Sequence, residues 1–123
     1  MQFLVDSKTI LDFFNGVTEL FDYFNDEENI HVSVVTQGEL YHLSEAKAEN
    51  NRLDKISSDF IHLLHIAELD EETARIFGRL KSAYPELSDN TLWICATAIR
   101  RDYVILTNSR EIARVKEVVV KNY

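Results

Sequence analysis

Eight consecutive positions, Leu92 to Ile99, hold seven apolar residues interrupted only by Thr97. A helix with one wet face cannot carry such a run, so the segment has to lie inside a layered structure. Ser88, Asp89 and Asn90 just ahead of it are all capable N-caps, and Pro85 closes whatever helix precedes them. The helix is therefore expected to begin near Asp89. Arg100, Arg101 and Asp102 return the chain to water, and Tyr103 to Leu106 reads as a short strand ended by Thr107, Asn108 and Ser109. Ligands bind at the carboxyl ends of parallel strands in an open sheet, which makes that polar exit a candidate site.

The 123 residues are expected to form a single domain over 1–123, large enough to bury a core without disulfides or a structural metal. Cys95, the single cysteine, falls inside the apolar helix and reads as an inert core thiol, since a reactive thiol needs an exposed, electropositive setting. No segment offers the ~20 apolar residues that span a bilayer. The first ten residues, MQFLVDSKTI, lack a basic start and carry Asp6 too early for a signal peptide. The expected location is the cytoplasm, without membrane contact. A net charge of −8 argues against nucleic-acid binding through bulk electrostatics. Six basic side chains against three acidic ones from Ile99 to Tyr123 leave a segment on which a phosphate backbone can dock, or simply a solvated charged surface.

Taken in order, Gln2 to Val5 is an apolar run ending abruptly at Asp6, the pattern of a buried strand that delivers a carboxylate at its end. Ser7 or Thr9 is expected to cap a short helix ended by Asn15 and Gly16. A second helix from Thr18 should turn Leu20, Phe21 and Phe24 inward, followed by an acidic turn from Asn25 to Asn29. Ile30 to Val35 reads as the second strand, and Ser33 or Thr36 starts a helix with Glu39, Leu40, Leu43 and Ala46. Glu39 falls on the side expected to face the core, where a lone carboxylate costs several kcal/mol unless it meets a cation or donors. The plainer reading is a partly exposed helix carboxylate.

Ala48 to Leu64 reads as a long helix with Leu53, Ile56, Phe60, Leu63 and Leu64 on its apolar side. A short strand within Leu64 to Leu69 precedes a helix from Asp70 to Tyr84, capped by Asp70, with Ala74, Ile76, Phe77 and Leu80 inside. Arg110 to Lys116 is expected to be helical and Val118 to Lys121 a final strand. Strands alternating with helices predict an α/β fold, a mainly parallel sheet of four or five strands covered on both faces. The three glycines form no phosphate-binding fingerprint, and the four histidines form no zinc pattern.

Three features align along the chain: an acid ending the first strand (FLVDS), an acid early in the helix after the second (SVVTQGELYHL), and the stretch LSDNTLWICATAIRRDYVILTN. Together they resemble the PIN-domain family, in particular the VapC-like ribonuclease toxins of toxin-antitoxin pairs. The likeness covers essentially the whole chain, including DEETARIFGRLKSAYPEL and REIARV. It implies a three-layer α/β/α sandwich in which acids clustered at one end of the sheet hold Mg²⁺ or Mn²⁺, and bound water attacks an RNA phosphodiester. Asp6 matches the first family acid and Glu39 the second. The third position is occupied by Thr91, with Asp89 two residues upstream as the substitute acid. The fourth falls near Asn108 or Ser109, neither charged. Ser7 fits the small hydroxyl that follows the first acid. Lys8, where Asn or Ser is usual, is expected to pair with Asp6 or Glu39 and take the place of the metal electrostatically, or else to point to solvent.

The resemblance thus implies a metal-dependent endoribonuclease with Asp6, Glu39 and Asp89 as ligands, and Thr91 or Asn108 orienting water. Ser7, Lys8 and Thr107 are accessory polar residues. An antitoxin protein and RNA are the implied partners, and a homodimer the implied assembly. The competing reading is a PIN fold that has lost catalysis and binds a protein partner or RNA. A phosphorelay receiver is disfavoured, because the acid after the first strand is followed by Ser7 and Lys8 rather than by a second acid.

Overall fold

Leu4 and Val5 are neighbours in sequence but belong to different cores, because successive residues of a strand point to opposite faces. Leu4 packs with Ile76, Leu80, Leu92 and Cys95, whereas Val5 packs with Ile10, Leu20, Phe24 and Leu40. Ile105 and Leu106 divide the same way. A sheet with helices on both faces follows. The structure is a computed structural model that describes residues 1–45 and 52–123.

Five strands make that sheet: β1 (Phe3–Val5), β2 (Ile30–Ser33), β3 (His65–Ala67), β4 (Val104–Leu106) and β5 (Val120–Lys121). Their order is β3-β2-β1-β4-β5, and every pairing is parallel. Helices α1 (Ser7–Phe14), α2 (Phe21–Asn25), α3 (Val34–Glu45) and α4 (Arg52–Phe60) follow β1 and β2; α5 (Glu71–Ala83) and α6 (Asp89–Arg101) lie between β3 and β4. The three-layer α/β/α sandwich expected from the alternation of strands and helices is the fold observed. From β1 the chain steps to β2 and β3 on one side, then returns through α5 and α6 to β4 and β5 on the other. The reversal falls between β1 and β4, where their carboxyl ends leave a crevice.

The apolar run is buried as its composition demands: Leu92, Ile94, Cys95, Ala96, Thr97 and Ala98 all lie inside. The one polar interruption is satisfied locally, since the Thr97 hydroxyl donates to the Trp93 carbonyl at 2.8 Å. Ser88 caps α6 by accepting from the Thr91 N–H. At the far end Asp102 adopts a left-handed conformation (φ 59°) that lets the chain turn sharply into β4. Among the described residues no helix is long and apolar enough to cross a membrane.

Several local expectations are corrected. Asp6, not Ser7 or Thr9, caps α1, its side chain accepting from the Thr9 N–H. The second strand stops at Ser33, whose hydroxyl accepts from the Val35 N–H, so Val34 and Val35 open a helix despite their β-branching. Thr18–Leu20 forms a 3₁₀ turn ahead of α2, and Phe21 is partly exposed rather than turned inward. Ala74 is exposed, and Thr73 is the buried residue of that turn. Ile56 faces out because α4 turns Ser57 and Ser58 inward instead, and Leu63, 66% exposed, faces out because α4 gives way to a 3₁₀ turn at Ile61–Leu63 and the helical periodicity is lost. The expected helix from Arg110 to Lys116 shrinks to a 3₁₀ turn at Ile112–Arg114. Ala46 and the start expected at Ala48 lie outside the described residues.

A candidate acidic site at the carboxyl ends of the central strands

Asp6 directly follows β1 and Thr107 directly follows β4, and the parallel register that pairs Val5 with Leu106 sets these two residues side by side. The Thr107 hydroxyl donates to Asp6 Oδ2 at 2.6 Å. The Thr9 N–H donates to Asp6 Oδ1 at 2.9 Å, and the Thr9 hydroxyl returns to the Leu106 carbonyl at 3.0 Å. Asp6 is 7% exposed. It is therefore held by donors on both oxygens, as a buried carboxylate must be.

Glu39 enters from α3, within the first two turns after β2. Ser7 Oγ donates to its Oε1 at 3.4 Å and Asn90 Nδ2 to its Oε2 at 3.3 Å, both long contacts. Burial pushes the Glu39 carboxyl above its usual range; the bonds from Asn90 and Ser7 offset part of this, and the charge of Asp6 adds to it. Two acids of like charge thus line one cleft, the first held by short hydrogen bonds and the second only by long ones.

A cleft of about 320 Å³ opens on this pair, walled also by Ser7, Lys8, Ser88, Asn90, Thr91, Ser109 and Glu111. Thr91 is almost fully buried, its hydroxyl accepting from Ser88 Oγ at 2.9 Å. Asp89 is turned elsewhere, its Oδ1 lying 2.9 Å from Lys81 Nζ, and it does not line the cleft. Of the two readings for Lys8, the pairing with Asp6 or Glu39 is corrected: the side chain is 71% exposed and its Nζ pairs with Asp12 Oδ2 at 2.8 Å, because Asp12 lies one helical turn away on α1. Thr107 supports Asp6, whereas the Asn108 side chain is engaged with the Tyr123 backbone.

Glu111 was not singled out from the sequence. It lines the cleft and accepts from the Ser88 N–H at 2.6 Å, which ties it to the start of α6. It lies in an irregular turn, so no periodicity aims it; an acid two residues past the polar exit of β4 was the available signal.

Among the described residues no three His, Cys, Asp or Glu side chains converge closely enough to form a metal-ligand group. The donors that do meet are all oxygen: the carboxylates of Asp6 and Glu39, with Ser7, Thr91 and Asn90 around them. That set suits a hard cation such as Mg²⁺, which is commonly held by one or two carboxylates together with water and substrate phosphate. It does not suit zinc, for want of nitrogen or sulfur. Cys95 takes no part, burial pushing its thiol up to about 12.

The sequence pattern that defines the PIN domain family matches residues 3–118, and the chain belongs to that family. Its fold is shared with chains of solved VapBC complexes. The DNA-bound VapBC of Salmonella typhimurium superimposes with a TM-score of 0.84 at 20% identity, over 99% of this chain and 98% of that one. VapBC-1 of nontypeable Haemophilus influenzae gives 0.80 at 14%, over 99% and 98%. VapBC-5 of Mycobacterium tuberculosis, from a toxin-antitoxin system, gives 0.73 at 20%, over 97% and 94%. No curated protein matches the sequence.

Proposed function

We propose that this chain is a metal-dependent endoribonuclease of the toxin-antitoxin type, with a weakened hold on its metal. The observation that carries the reading is the meeting of Asp6 and Glu39, 33 positions apart in sequence, in one cleft at the switch point of the sheet, where burial and, to a lesser extent, the charge of Asp6 raise the proton affinity of Glu39. A divalent cation held by the two carboxylates would offset their like charge, and when bound it would supply a nucleophile from water and neutralise charge on the scissile phosphate. Asp6 and Glu39 would hold it. Asp6 is fixed in orientation by Thr9 and Thr107; Ser7 and Asn90 steer Glu39. Thr91 stands where a third acid would strengthen the grip, and Asp89, paired with Lys81, would reach the cleft only by giving up that pair. The partners we infer are RNA as substrate and an antitoxin protein, in line with the VapBC complexes that share the fold, and the assembly a homodimer.

The test is a single preparation assayed two ways. Single-stranded RNA is expected to be cut with Mg²⁺ or Mn²⁺ and left intact with a chelator, and Mn²⁺ should raise the melting temperature of the protein. Intact RNA together with an unmoved melting temperature would sink the nuclease reading. The absence of a third converging acid among the described residues favours the second reading, a PIN fold that binds its partner without catalysis. That reading predicts partner binding in a protein indifferent to Mn²⁺.

A further inference from the structure

Lys8 stands on the wall of the acidic cleft beside Asp6 and Glu39, yet its ammonium is turned away from both. Its Nζ lies 2.8 Å from Asp12 Oδ2. The same oxygen accepts from the Tyr123 hydroxyl at 2.6 Å. Tyr123 is itself gripped at the backbone: Asn108 Nδ2 donates to its carbonyl at 2.8 Å, and its N–H donates to Asn108 Oδ1 at 2.9 Å. A line of contacts therefore runs from the end of β4, through Asn108, Tyr123 and Asp12, to the one cation on the cleft wall among the described residues.

Two sets of oxygens compete for that cation. The Asp6–Glu39 pair is the stronger attractor, since two like charges close together in a partly desolvated cleft gain most from a positive neighbour. An exposed pair one helical turn apart is weak by comparison. Lys8 is 71% exposed in its side chain, so little steric work separates the two positions. What tips the balance is the fixing of Asp12. A surface aspartate pays side-chain entropy to meet a lysine; Asp12, already oriented by Tyr123, does not.

Resting on the metal-site reading above, we infer that Asp12, fixed by Tyr123, is a positioning residue that keeps the Lys8 ammonium out of the Asp6–Glu39 cleft and so leaves those carboxylates open to a divalent cation. Lys8 is then a built-in competitor held at a distance.

Asp12→Asn keeps an acceptor for Tyr123 and removes the charge. Calorimetry with Mn²⁺ alone should show affinity weakened about tenfold, and a crystal structure of the variant should show Lys8 Nζ within about 4 Å of Asp6 or Glu39. Adding Lys8→Met should return the affinity to within about twofold of the parent protein, and Lys8→Met by itself should change it by no more than that. Tyr123→Phe should weaken it in the same direction by about threefold. The inference is overturned by an Asp12→Asn protein with unchanged Mn²⁺ affinity, or by a loss that survives Lys8→Met, which would mean that Asp12 acts through the fold. A parent protein that binds no Mn²⁺ sinks the metal reading instead. The position of Lys8 in the Asp12→Asn crystal then decides alone, a move to the acids supporting the inference and an unmoved ammonium overturning it.

Discussion

Thr107 donates a 2.6 Å hydrogen bond to Asp6 across 101 positions of sequence, so the hydroxyl that ends one central strand orients the acid that ends the other. The Thr107 oxygen also accepts from the Ser109 N–H at 3.0 Å, which fixes the turn leaving β4.

Thr107→Val should therefore do two kinds of damage. It leaves a buried carboxylate oxygen and a turn N–H without partners, an expected loss of about 1–3 kcal/mol read by urea denaturation. It also frees Asp6 to rotate, so Mn²⁺ affinity should fall with it. A variant as stable as the parent would remove Thr107 from the account.

Glu39→Gln should stabilise the protein at neutral pH. A carboxyl whose folded value lies above its unfolded one penalises the folded state at every pH where it is ionised, and the penalty vanishes as pH falls through the carboxylate range. The gain, about 1 kcal/mol or less after solvent screening, should appear as a higher melting temperature at pH 7 and shrink toward pH ~4. Metal binding should be lost in the same variant. A gain that does not depend on pH would point to packing instead of charge.

Thr91→Asp adds a carboxylate to a cleft wall that already carries Asp6, Glu39 and Glu111, at a nearly buried position. Without metal it should cost about 1–3 kcal/mol, as an acid buried among others must. With Mn²⁺ the loss should be recovered and affinity tightened by about tenfold or more. Denaturation with and without Mn²⁺ reads both halves, and a loss that Mn²⁺ leaves untouched would mean that the side chain does not reach the metal.

Asp89→Ala is expected to leave Mn²⁺ affinity within about twofold of the parent, because the carboxylate is committed to Lys81 and lies mostly in solvent. Its loss should cost about 1 kcal/mol or less, from an exposed ion pair and a favourable place in the first turn of α6. A large drop in affinity, measured by calorimetry, would bring Asp89 back into the ligand set.

The contrast between Asp6 and Asp89 marks how far sequence reasoning reached. Asp6 ends an apolar run so short and uniform that a buried strand with an acid at its mouth was the plain reading, and the strand order put it at the switch point. Glu39 stood out because its position on the helix demanded a partner. The α/β/α layers followed from alternating elements, and the long apolar helix from its composition. Asp89, Lys8 and Glu111 were of another kind. Each is a polar side chain at a helix start or in a turn, with several partners in range, and which one it takes depends on neighbours such as Lys81, Asp12 and Ser88. No periodicity records that choice. Asp70 and Ser88 cap their helices as expected, but the cap of α1 was misplaced for a related reason: Asp6, Ser7 and Thr9 are all fit to cap it, and only the strand fixes which of them faces the helix.

The parallel pairing of β1 with β4 also sets the order in which the site is made. Ribosomes add about 5–20 residues per second, so about 5–20 s of synthesis separate Asp6 from the threonine that orients it. A nascent chain that has not yet reached β4 carries the first acid without its support and the sheet without its switch point. The carboxyl-end crevice between β1 and β4 is thus one of the last features to form, completed only when the second of its two strands has been made.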